Sequence, residues 1–267
     1  MLALGRDSDV PVPKMYGACA DLEILGVPFF LMEYVDGSIL RNEIPSGTTA
    51  EMLGNVAGQM IDTLVAIHQT DVSAAGLDTL GPGDGYIRRQ LRRMEGQWQS
   101  TRSRAIPAID RVGAWLAANV PPSGATTLVH GDYKLDNLVL DLPHTQSVRA
   151  VIDWEMATLG DPLADLGWLL YFWREQGEEG FPIPVCGVTD RAGFPRRRDL
   201  AERYARSSGA RIDEVIWYIA FAGWKISIIM ELSYQRFLSG VVDHPSFAQL
   251  GDGVPAMARR ALDFVGQ

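Results

Sequence analysis

The chain has 267 residues and a formal net charge of −9; 47% of its residues are hydrophobic and 21% are charged. This balance is typical of a folded globular protein, and the length allows either one large domain or two small ones. The negative charge disfavours nucleic acids and anionic membranes as partners, because both bind basic surfaces.

Nothing in the sequence predicts export or membrane insertion. The first residues lack the basic and long apolar regions of a signal peptide. The longest apolar run, residues 215–230, is interrupted by Lys225 and by polar residues. Cys19 and Cys186 lie far apart without metal-ligand spacing, which predicts free thiols in a reducing compartment. We therefore expect a cytoplasmic protein with no membrane partner.

The chain begins with a segment of little predicted structure, followed by two strands. Residues 1–13 are rich in glycine, proline and polar residues, which predicts a linker. Residues 15–24 and 28–35 are apolar and aromatic stretches joined by Gly26, and they predict two strands with a turn between them.

Helical periodicity begins at Thr49, with Thr48 or Thr49 as the N-cap, and two more helices are predicted for residues 86–100 and 107–119. The glycine-rich segment 81–85 lacks the Lys-Ser/Thr ending of a P-loop, so it predicts only a turn. The second helix carries four arginines that form a solvated face or meet an anionic acceptor such as a CoA or phosphate group: Arg88, Arg89, Arg92 and Arg93.

The C-terminal part of the chain is predicted to be helical over residues 198–208, 213–238 and 245–265. The middle helix carries aromatic residues at helical spacing, which are more often core residues than a ligand site. The segment 175–198 is polar and rich in glycine and proline, and it predicts a surface excursion near the acceptor site.

The residues that carry chemistry lie between positions 128 and 168. An HGD triplet at 130–132 is followed by Asn137, five positions after its aspartate, and Asp153 comes directly after the predicted strand 148–152. In phosphoryl transfer, one carboxylate orients the acceptor hydroxyl and takes its proton. An asparagine and a second carboxylate hold Mg²⁺ against the phosphates of ATP. The pattern therefore predicts a kinase-type catalytic core.

The motifs HGDYKLDN, VIDWE and GDPLADLGW occur in this order and resemble those of the aminoglycoside phosphotransferase and choline kinase-like family. They look most like the phosphotransferases associated with acyl-CoA dehydrogenases. The resemblance implies an α+β, protein kinase-like two-lobe fold with a truncated small β lobe and a mostly helical large lobe. It also implies ATP- and Mg²⁺-dependent phosphorylation of a hydroxyl on a small molecule, with a hydroxyacyl-CoA favoured over an aminoglycoside or choline.

The same resemblance assigns roles to the residues that match its motifs. The catalytic base falls on Asp132, and the metal ligands fall on Asn137 and Asp153. Lys134 lies two positions after the base, where a lysine of protein kinases reaches the transferred phosphate. A solvated loop lysine is an equally good interpretation of that position.

Three further residues are interpreted as structural support. His130 braces the loop through hydrogen bonds, and Asp165 ties the backbone of the catalytic loop in place, as the resemblance implies. Asp161 before Pro162 is a good helix start on local sequence alone. Trp154 is interpreted as a packing residue.

The resemblance also predicts where the two lobes meet. Residues 1–36 correspond to a remnant of the small lobe and the hinge, and residues 37–267 to the catalytic lobe. The backbone around Glu33, Tyr34 and Val35 would meet adenine at the hinge, although an ordinary core strand with a turn explains the same residues.

The glycine-rich loop, strand lysine and helix glutamate of the small lobe have no counterpart before residue 15. Either the natural chain is longer, or the protein is a shortened and catalytically silent relative that serves as a binding or scaffold protein. We expect the unpaired strands of such a short lobe to favour self-association.

Overall fold

The computed structural model describes residues 2–122, 124–181 and 187–266. The helices are α1 (Leu2–Asp7), α2 (Leu22–Leu25), α3 (Ala50–His68), α4 (Tyr86–Thr101), α5 (Pro107–Ala118), α6 (Leu163–Phe172), α7 (Arg197–Ser208), α8 (Val215–Leu238) and α9 (Leu250–Val265). The strands are short: β1 (Met15–Cys19), β2 (Phe29–Met32), β3 (Thr127–Val129), β4 (Leu138–Asp141), β5 (Ser147–Val151) and β6 (Thr158–Gly160).

The strands form three antiparallel pairs, β1 with β2, β3 with β6 and β4 with β5. In the last pair Leu138 faces Val151, so the start of β4 lies beside the end of β5. A backbone bridge between Ser38 and Leu140 attaches the segment after β2 to β4. The β4–β5 hairpin is therefore the place where the N-terminal segment joins the rest of the fold.

The helical part of the protein is built around α8, which packs against α6 and α9. Trp217, Phe221 and Trp224 of α8 are buried, so the prediction that its aromatic residues belong to the core is confirmed. By length and composition alone, α8 could cross a membrane, but 72% of its most apolar stretch is buried inside the protein. Its apolar character is therefore explained by its central position.

Two glycines bring α6 and α8 unusually close together. A Cβ atom at Gly167 would lie 2.5 Å from the backbone of Tyr218, and a Cβ atom at Gly223 would lie 2.3 Å from the ring of Tyr171. Any larger residue at either position would force the helices apart, because such distances are far below van der Waals contact. Side chains of α8 therefore reach the face of α6 that meets the catalytic loop.

The helices predicted from Thr49 onward are confirmed. Thr49 accepts a hydrogen bond from the N–H of Met52 at 3.2 Å and caps α3. The glycine-rich segment leads directly into α4, and the segment predicted as one helix over 245–265 consists of a 3-10 helix, Pro245–Gln249, followed by α9.

Two predictions for the N-terminal segment are wrong. Residues 2–7 form α1 instead of a linker, and Leu4 is buried in the hydrophobic core. The first predicted strand ends at Cys19, because Asp21 accepts a hydrogen bond from the N–H of Glu23 and begins the helical turn α2. Its apolar residues suit a strand, but an aspartate cap and the left-handed Gly26 stabilise the turn.

Of the two cysteines, Cys19 is a half-buried free thiol. Cys186 lies outside the described residues, as does part of the predicted surface excursion. The predicted boundary between lobes at residue 36 stays a prediction.

Residues 15–34 expose a large apolar area, which we call the hairpin surface. β1 and β2 have no sheet partner besides each other in the described ranges. The exposed apolar side chains of the hairpin surface are Tyr16, Leu22, Ile24, Leu25, Val27, Phe30, Leu31, Met32 and Tyr34. Contiguous apolar side chains beside an open strand edge favour pairing with another chain, so self-association through this surface stays a prediction.

Leu31→Glu should weaken self-association, because a carboxylate in an apolar contact costs about 1 to 3 kcal/mol. That cost corresponds to roughly a 5- to 150-fold lower association constant, which sedimentation velocity over a concentration series can measure. Leu238→Glu is the matched control, since Leu238 is 59% exposed and Leu31 is 58% exposed. Equal association of both variants and the parent protein would show that the hairpin surface is not the contact.

Candidate active site

The segment from the end of β3 to the start of β4 carries the predicted base Asp132, and we call it the catalytic loop for that reason. Gly131 in this loop has a φ of +84°, and a Cβ atom there would lie 2.5 Å from the carbonyl oxygen of Met156. Only glycine combines a left-handed backbone with such a close approach. The central residue of the HGD triplet therefore has to be glycine, because the loop packs closely against the turn Trp154–Met156.

Three donors converge on the carboxylate of Asp132. The indole Nε1 of Trp168 donates to Oδ1 at 2.8 Å. The amide Nδ2 of Asn137 donates to Oδ2 at 2.9 Å, and the Lys134 ammonium forms an ion pair with the same oxygen. The structure thus brings together Asp132, Lys134 and Asn137, and both carboxylate oxygens are held in defined directions.

The loop backbone is held by Asp165, whose side chain is 1% exposed. Its carboxylate accepts hydrogen bonds from the N–H of His130 at 2.6 Å and of Gly131 at 2.8 Å. His68 Nε2 lies 3.3 Å from the same carboxylate. Burial opposes ionisation, but the hydrogen bond from His68 and the neighbouring imidazole and N–H groups outweigh it and hold the pKa of Asp165 below its usual value.

The contacts of His130 define its protonation state. Its Nδ1 accepts a hydrogen bond from the backbone N–H of Asp132 at 3.2 Å, so that nitrogen carries no proton. Its Nε2 therefore carries the proton and donates to the carbonyl oxygen of Ile152 at 3.0 Å. Burial lowers the pKa of His130, although nearby carboxylates oppose the shift. A neutral imidazole thus joins the catalytic loop to the end of β5.

Asn137 and Asp153 lie at the same end of the β4–β5 hairpin. The N–H of Ile152 donates to the carbonyl oxygen of Asn137 at 3.0 Å, and Asp153 is the next residue. Asp153 is exposed and has a left-handed backbone, with φ 66° and ψ 56°. The Asp153 carboxylate and the side-chain oxygen of Asn137 have no hydrogen-bond partner within the described part of the chain. Both groups are therefore available to a cation.

This donor set fits Mg²⁺, which is held by one or two carboxylates together with waters and substrate phosphates. In residues 2–122, 124–181 and 187–266 no group of three or more His, Cys, Asp or Glu side chains could hold a metal. A site completed by water and phosphate oxygens would take Asn137 and Asp153 as its ligands from the protein.

The predicted hinge residues lie apart from this cluster. Tyr34 is 91% exposed, Val35 is half-buried, and Glu33 accepts a hydrogen bond from the backbone N–H of Lys14. None of the three hydrogen-bonds to the catalytic loop. The segment that follows them is nevertheless attached to β4 through Ser38.

Asp161 supports the start of α6. Its Oδ1 accepts a hydrogen bond from the N–H of Leu163 at 3.0 Å, and its Oδ2 accepts one from the Tyr218 hydroxyl at 2.7 Å. Burial raises the pKa of Asp161, against these hydrogen bonds. The carboxylate therefore caps α6 and also fastens it to α8.

A cavity of about 320 Å³ opens beside Asp132. Most of its wall is apolar and comes from α6, α8 and the segment where Pro245–Gln249 meets α9. Its lining residues are Asp132, Lys134, Met156, Trp168, Phe172, Ile226, Ile229, Met230, Ser246, Phe247 and Leu250. The cavity gives a bound molecule direct access to the carboxylate of Asp132.

Two residues of the site were missed by sequence reasoning. Trp168 donates a hydrogen bond to Asp132, and His68 contacts both Asp165 and the Tyr204 hydroxyl. A signal for Trp168 was present, because residues three apart on a helix share a face, and Trp168 follows Asp165 by three positions. Nothing local marked His68.

The sequence profile of the phosphotransferase enzyme family, APH, matches residues 1–200. The chain belongs to this family. Its α+β fold is that of the kinase-like phosphotransferases, as its structural relatives show.

The curated relatives are longer proteins. Acyl-CoA dehydrogenase family member 10 of Mus musculus is 34% identical over 265 residues, which are 97% of this chain and 24% of that protein. Acyl-CoA dehydrogenase family member 11 of Rattus norvegicus is 36% identical over 238 residues, which are 86% of this chain and 30% of that protein. The chain thus spans less than a third of the length of either relative.

Two crystal structures illustrate the shared fold. A Ralstonia eutropha JMP134 protein, provisionally named an aminoglycoside phosphotransferase, is 30% identical with a TM-score of 0.86; the match covers 99% of this chain and 80% of that one. A thermostable mutant of aminoglycoside phosphotransferase APH(4)-Ia, in a ternary complex with ADP and hygromycin B, has a TM-score of 0.61 at 17% identity. That match covers 99% of this chain and 81% of that one.

Gly131→Ala should destabilise the protein more than a glycine-to-alanine change at an open left-handed position. Gly209 has a φ of +73° with open space around it, so Gly209→Ala should cost about 1 to 2 kcal/mol from backbone strain alone. Gly131→Ala adds a steric conflict and should cost roughly 2 to 5 kcal/mol in total. Urea unfolding of both variants measures the difference, and equal losses would contradict the close approach to Met156.

Proposed function

We propose that the protein transfers the γ-phosphoryl group of ATP to a hydroxyl of a small molecule, with Mg²⁺ as cofactor. The observation that carries this proposal is the position of the Asp132 carboxylate. It forms part of the cavity wall and is also hydrogen-bonded to Asn137. A base in phosphoryl transfer has to reach the acceptor while the metal ligands lie nearby. Membership of the APH family supports a small-molecule phosphotransferase, and the ADP complex of a related fold supports a nucleotide donor.

Asp132 would orient the acceptor hydroxyl and take its proton. Trp168 holds Oδ1 while Asn137 and Lys134 hold Oδ2, so the carboxylate is oriented before the acceptor binds. Preorganised groups avoid the cost of reorientation during the reaction.

Asn137 and Asp153 would hold Mg²⁺. The amide of Asn137 donates to Asp132, which leaves its oxygen free for the cation without a change of side-chain conformation. The bound cation would neutralise charge on the phosphates during transfer. Asn137 therefore links the base to the metal site and sets the spacing between them.

Lys134 would contribute at the acceptor side of the transferred group. Its side chain is 17% exposed, and its ammonium lies against Asp132 in the cavity wall. A lysine at this place can stabilise the negative charge that develops as the phosphoryl group moves. For the nucleotide, we propose that the backbone around Glu33, Tyr34 and Val35 meets the adenine, because Ser38 attaches this segment to the hairpin that carries the metal ligands.

The cavity favours an acceptor with a hydrocarbon chain next to its hydroxyl. Among its lining residues only Asp132 and Lys134 are charged, and these charges have opposite sign. A polycationic aminoglycoside would have one carboxylate to bind here, whereas an alkyl chain would contact Phe172, Ile229 and Met230. Together with the acyl-CoA dehydrogenase names of the relatives, this supports a hydroxyacyl-CoA as the acceptor.

The protein should phosphorylate 3-hydroxyoctanoyl-CoA more efficiently than 3-hydroxybutyryl-CoA, since the longer chain buries more apolar surface, at about 0.8 kcal/mol per methylene. Choline and an aminoglycoside should react least. Phosphorylated products are measured by mass spectrometry with Mg·ATP, and a parallel series with Mg·GTP tests the choice of nucleotide. Faster phosphorylation of choline or the aminoglycoside would overturn the proposed acceptor.

Asp132→Asn is the matched negative control for these assays. It should lower kcat by about a hundred- to ten-thousandfold, because it removes the base, and it should leave nucleotide affinity nearly unchanged. A variant that keeps most of its kcat would show that Asp132 is not the base. A parent protein that binds Mg·ATP but phosphorylates none of the acceptors would support the catalytically silent alternative.

Asp153→Ala should weaken Mg·ATP binding, because it removes a hard anionic ligand. Asn137→Ala should have a milder effect, since it removes a neutral ligand. Glu155→Ala is the control, because Glu155 is also exposed and its substitution removes the same charge two positions away. Isothermal titration calorimetry measures all three affinities, and equal effects of the Asp153 and Glu155 variants would argue against a metal site at Asp153.

A further inference from the structure

The hydrogen bond from Trp168 to Asp132 differs from the other two on that carboxylate. In the proposed reaction Asn137 also binds the metal and Lys134 also meets the transferred phosphate, so both have second partners. The indole of Trp168 has a single N–H, and it donates to Oδ1 of Asp132 at 2.8 Å. The bond from Trp168 can therefore persist while Asn137 and Lys134 engage their other partners, and its strength affects how firmly the carboxylate is oriented.

A buried cation lies over the ring of Trp168. Lys225 of α8 is 7% exposed, and its Nζ is 5.0 Å from the centroid of the Trp168 ring. No hydrogen bond or ion pair to this ammonium occurs within the described ranges of the chain. Most of the Lys225 side chain is withdrawn from water, which is unfavourable for a charge, and the face of Trp168 offers the ammonium an attractive contact.

The backbone places this lysine with little freedom. Gly167 and Gly223 allow α6 and α8 to approach closely, and each is within two positions of one partner, Trp168 or Lys225. Trp168 itself is 4% exposed. The ammonium and the ring are therefore held against each other by the helix packing that also surrounds the cavity.

The charged groups that act on Lys225 come from three other parts of the fold. Asp165 on α6 and Asp132 on the catalytic loop favour its charged form, and Arg93 on α4 opposes it. Burial, the largest effect, lowers the pKa of Lys225 to about 8, so most of the ammonium is still charged at pH 7.

We propose that Lys225 is a positioning residue that acts through Trp168 on Asp132. A cation over the face of an indole draws electron density toward the ring and makes its N–H a stronger donor. The stronger bond holds Oδ1 of Asp132 and leaves the carboxylate aimed into the cavity. The inference depends on the proposed function only for its effect on turnover, because the hydrogen bond itself can be measured without any substrate.

The test follows the indole N–H resonance of Trp168 in protein labelled with ¹⁵N at its tryptophans. The chain has seven tryptophans, and the signal lost in Trp168→Phe assigns the resonance. Lys225→Met removes the charge and keeps a long side chain, Lys225→Arg keeps the charge, and Asp132→Asn shows the position of the resonance when the acceptor is neutral. Lys14→Met is the control, because Lys14 is an exposed lysine over Tyr16.

The Trp168 proton should move upfield in Lys225→Met, toward its position in Asp132→Asn, and stay near the parent position in Lys225→Arg and Lys14→Met. An unmoved resonance in Lys225→Met would overturn the proposal. An equal shift in the Arg and Met variants would also overturn it, because that result assigns the effect to packing. If the methionine variant does not fold, Lys225→Leu provides the same test of charge removal.

With an acceptor in hand, Lys225→Met should lower kcat about three- to tenfold, which corresponds to a partly buried cation–π contribution. The KM for Mg·ATP should be unchanged, and Lys225→Arg should restore most of the kcat. In a Trp168→Phe background the same change should have little further effect, whereas additive losses would contradict action through Trp168. Absence of turnover in the parent protein would defeat the proposed function while the resonance shift still decides the role of Lys225.

Discussion

The catalytic region depends on one buried charge, the carboxylate of Asp165. It accepts hydrogen bonds from the N–H groups of His130 and Gly131, and His68 lies against it from α3. Water cannot replace these partners at a side chain that is 1% exposed, so loss of any one would leave a buried polar group unsatisfied. The loop that carries Asp132 is therefore attached to α6 through Asp165. His68 of α3 contacts the same carboxylate and stabilises this attachment.

Much of this region could be predicted from sequence because its contacts are local. The loop residues at 130–137 lie within eight positions, and the β4–β5 hairpin brings Asp153 back to Asn137 through a short connection. The cap at Thr49 likewise follows from neighbouring residues, because its partner is the N–H of Met52. In such places the residue type and its spacing carry the geometry, so a motif is enough to describe it.

The remaining features depend on tertiary packing that no local pattern encodes. His68 and Tyr204 are 136 positions apart, and Lys225 meets Trp168 only because two glycines bring α6 and α8 together. The turn α2 was missed for a different reason: its apolar residues suit a strand, and only the cap of Asp21 decides the outcome. The apolar pattern of the helices indicated which side chains are buried, but it did not indicate which buried side chains contact each other.

The residues that line the cavity and the proposed metal ligands lie on different elements of the fold, and this separation has an evolutionary consequence. The cavity wall comes mainly from α6, α8 and the start of α9, whereas Asn137 and Asp153 flank one end of the β4–β5 hairpin. Mutations at Ile229 or Phe247 can therefore reshape the cavity while the loop and hairpin keep their geometry. Under the proposed function, a lineage with this architecture could acquire new acceptors by gradual change on the helices while the residues around Asp132 stay the same.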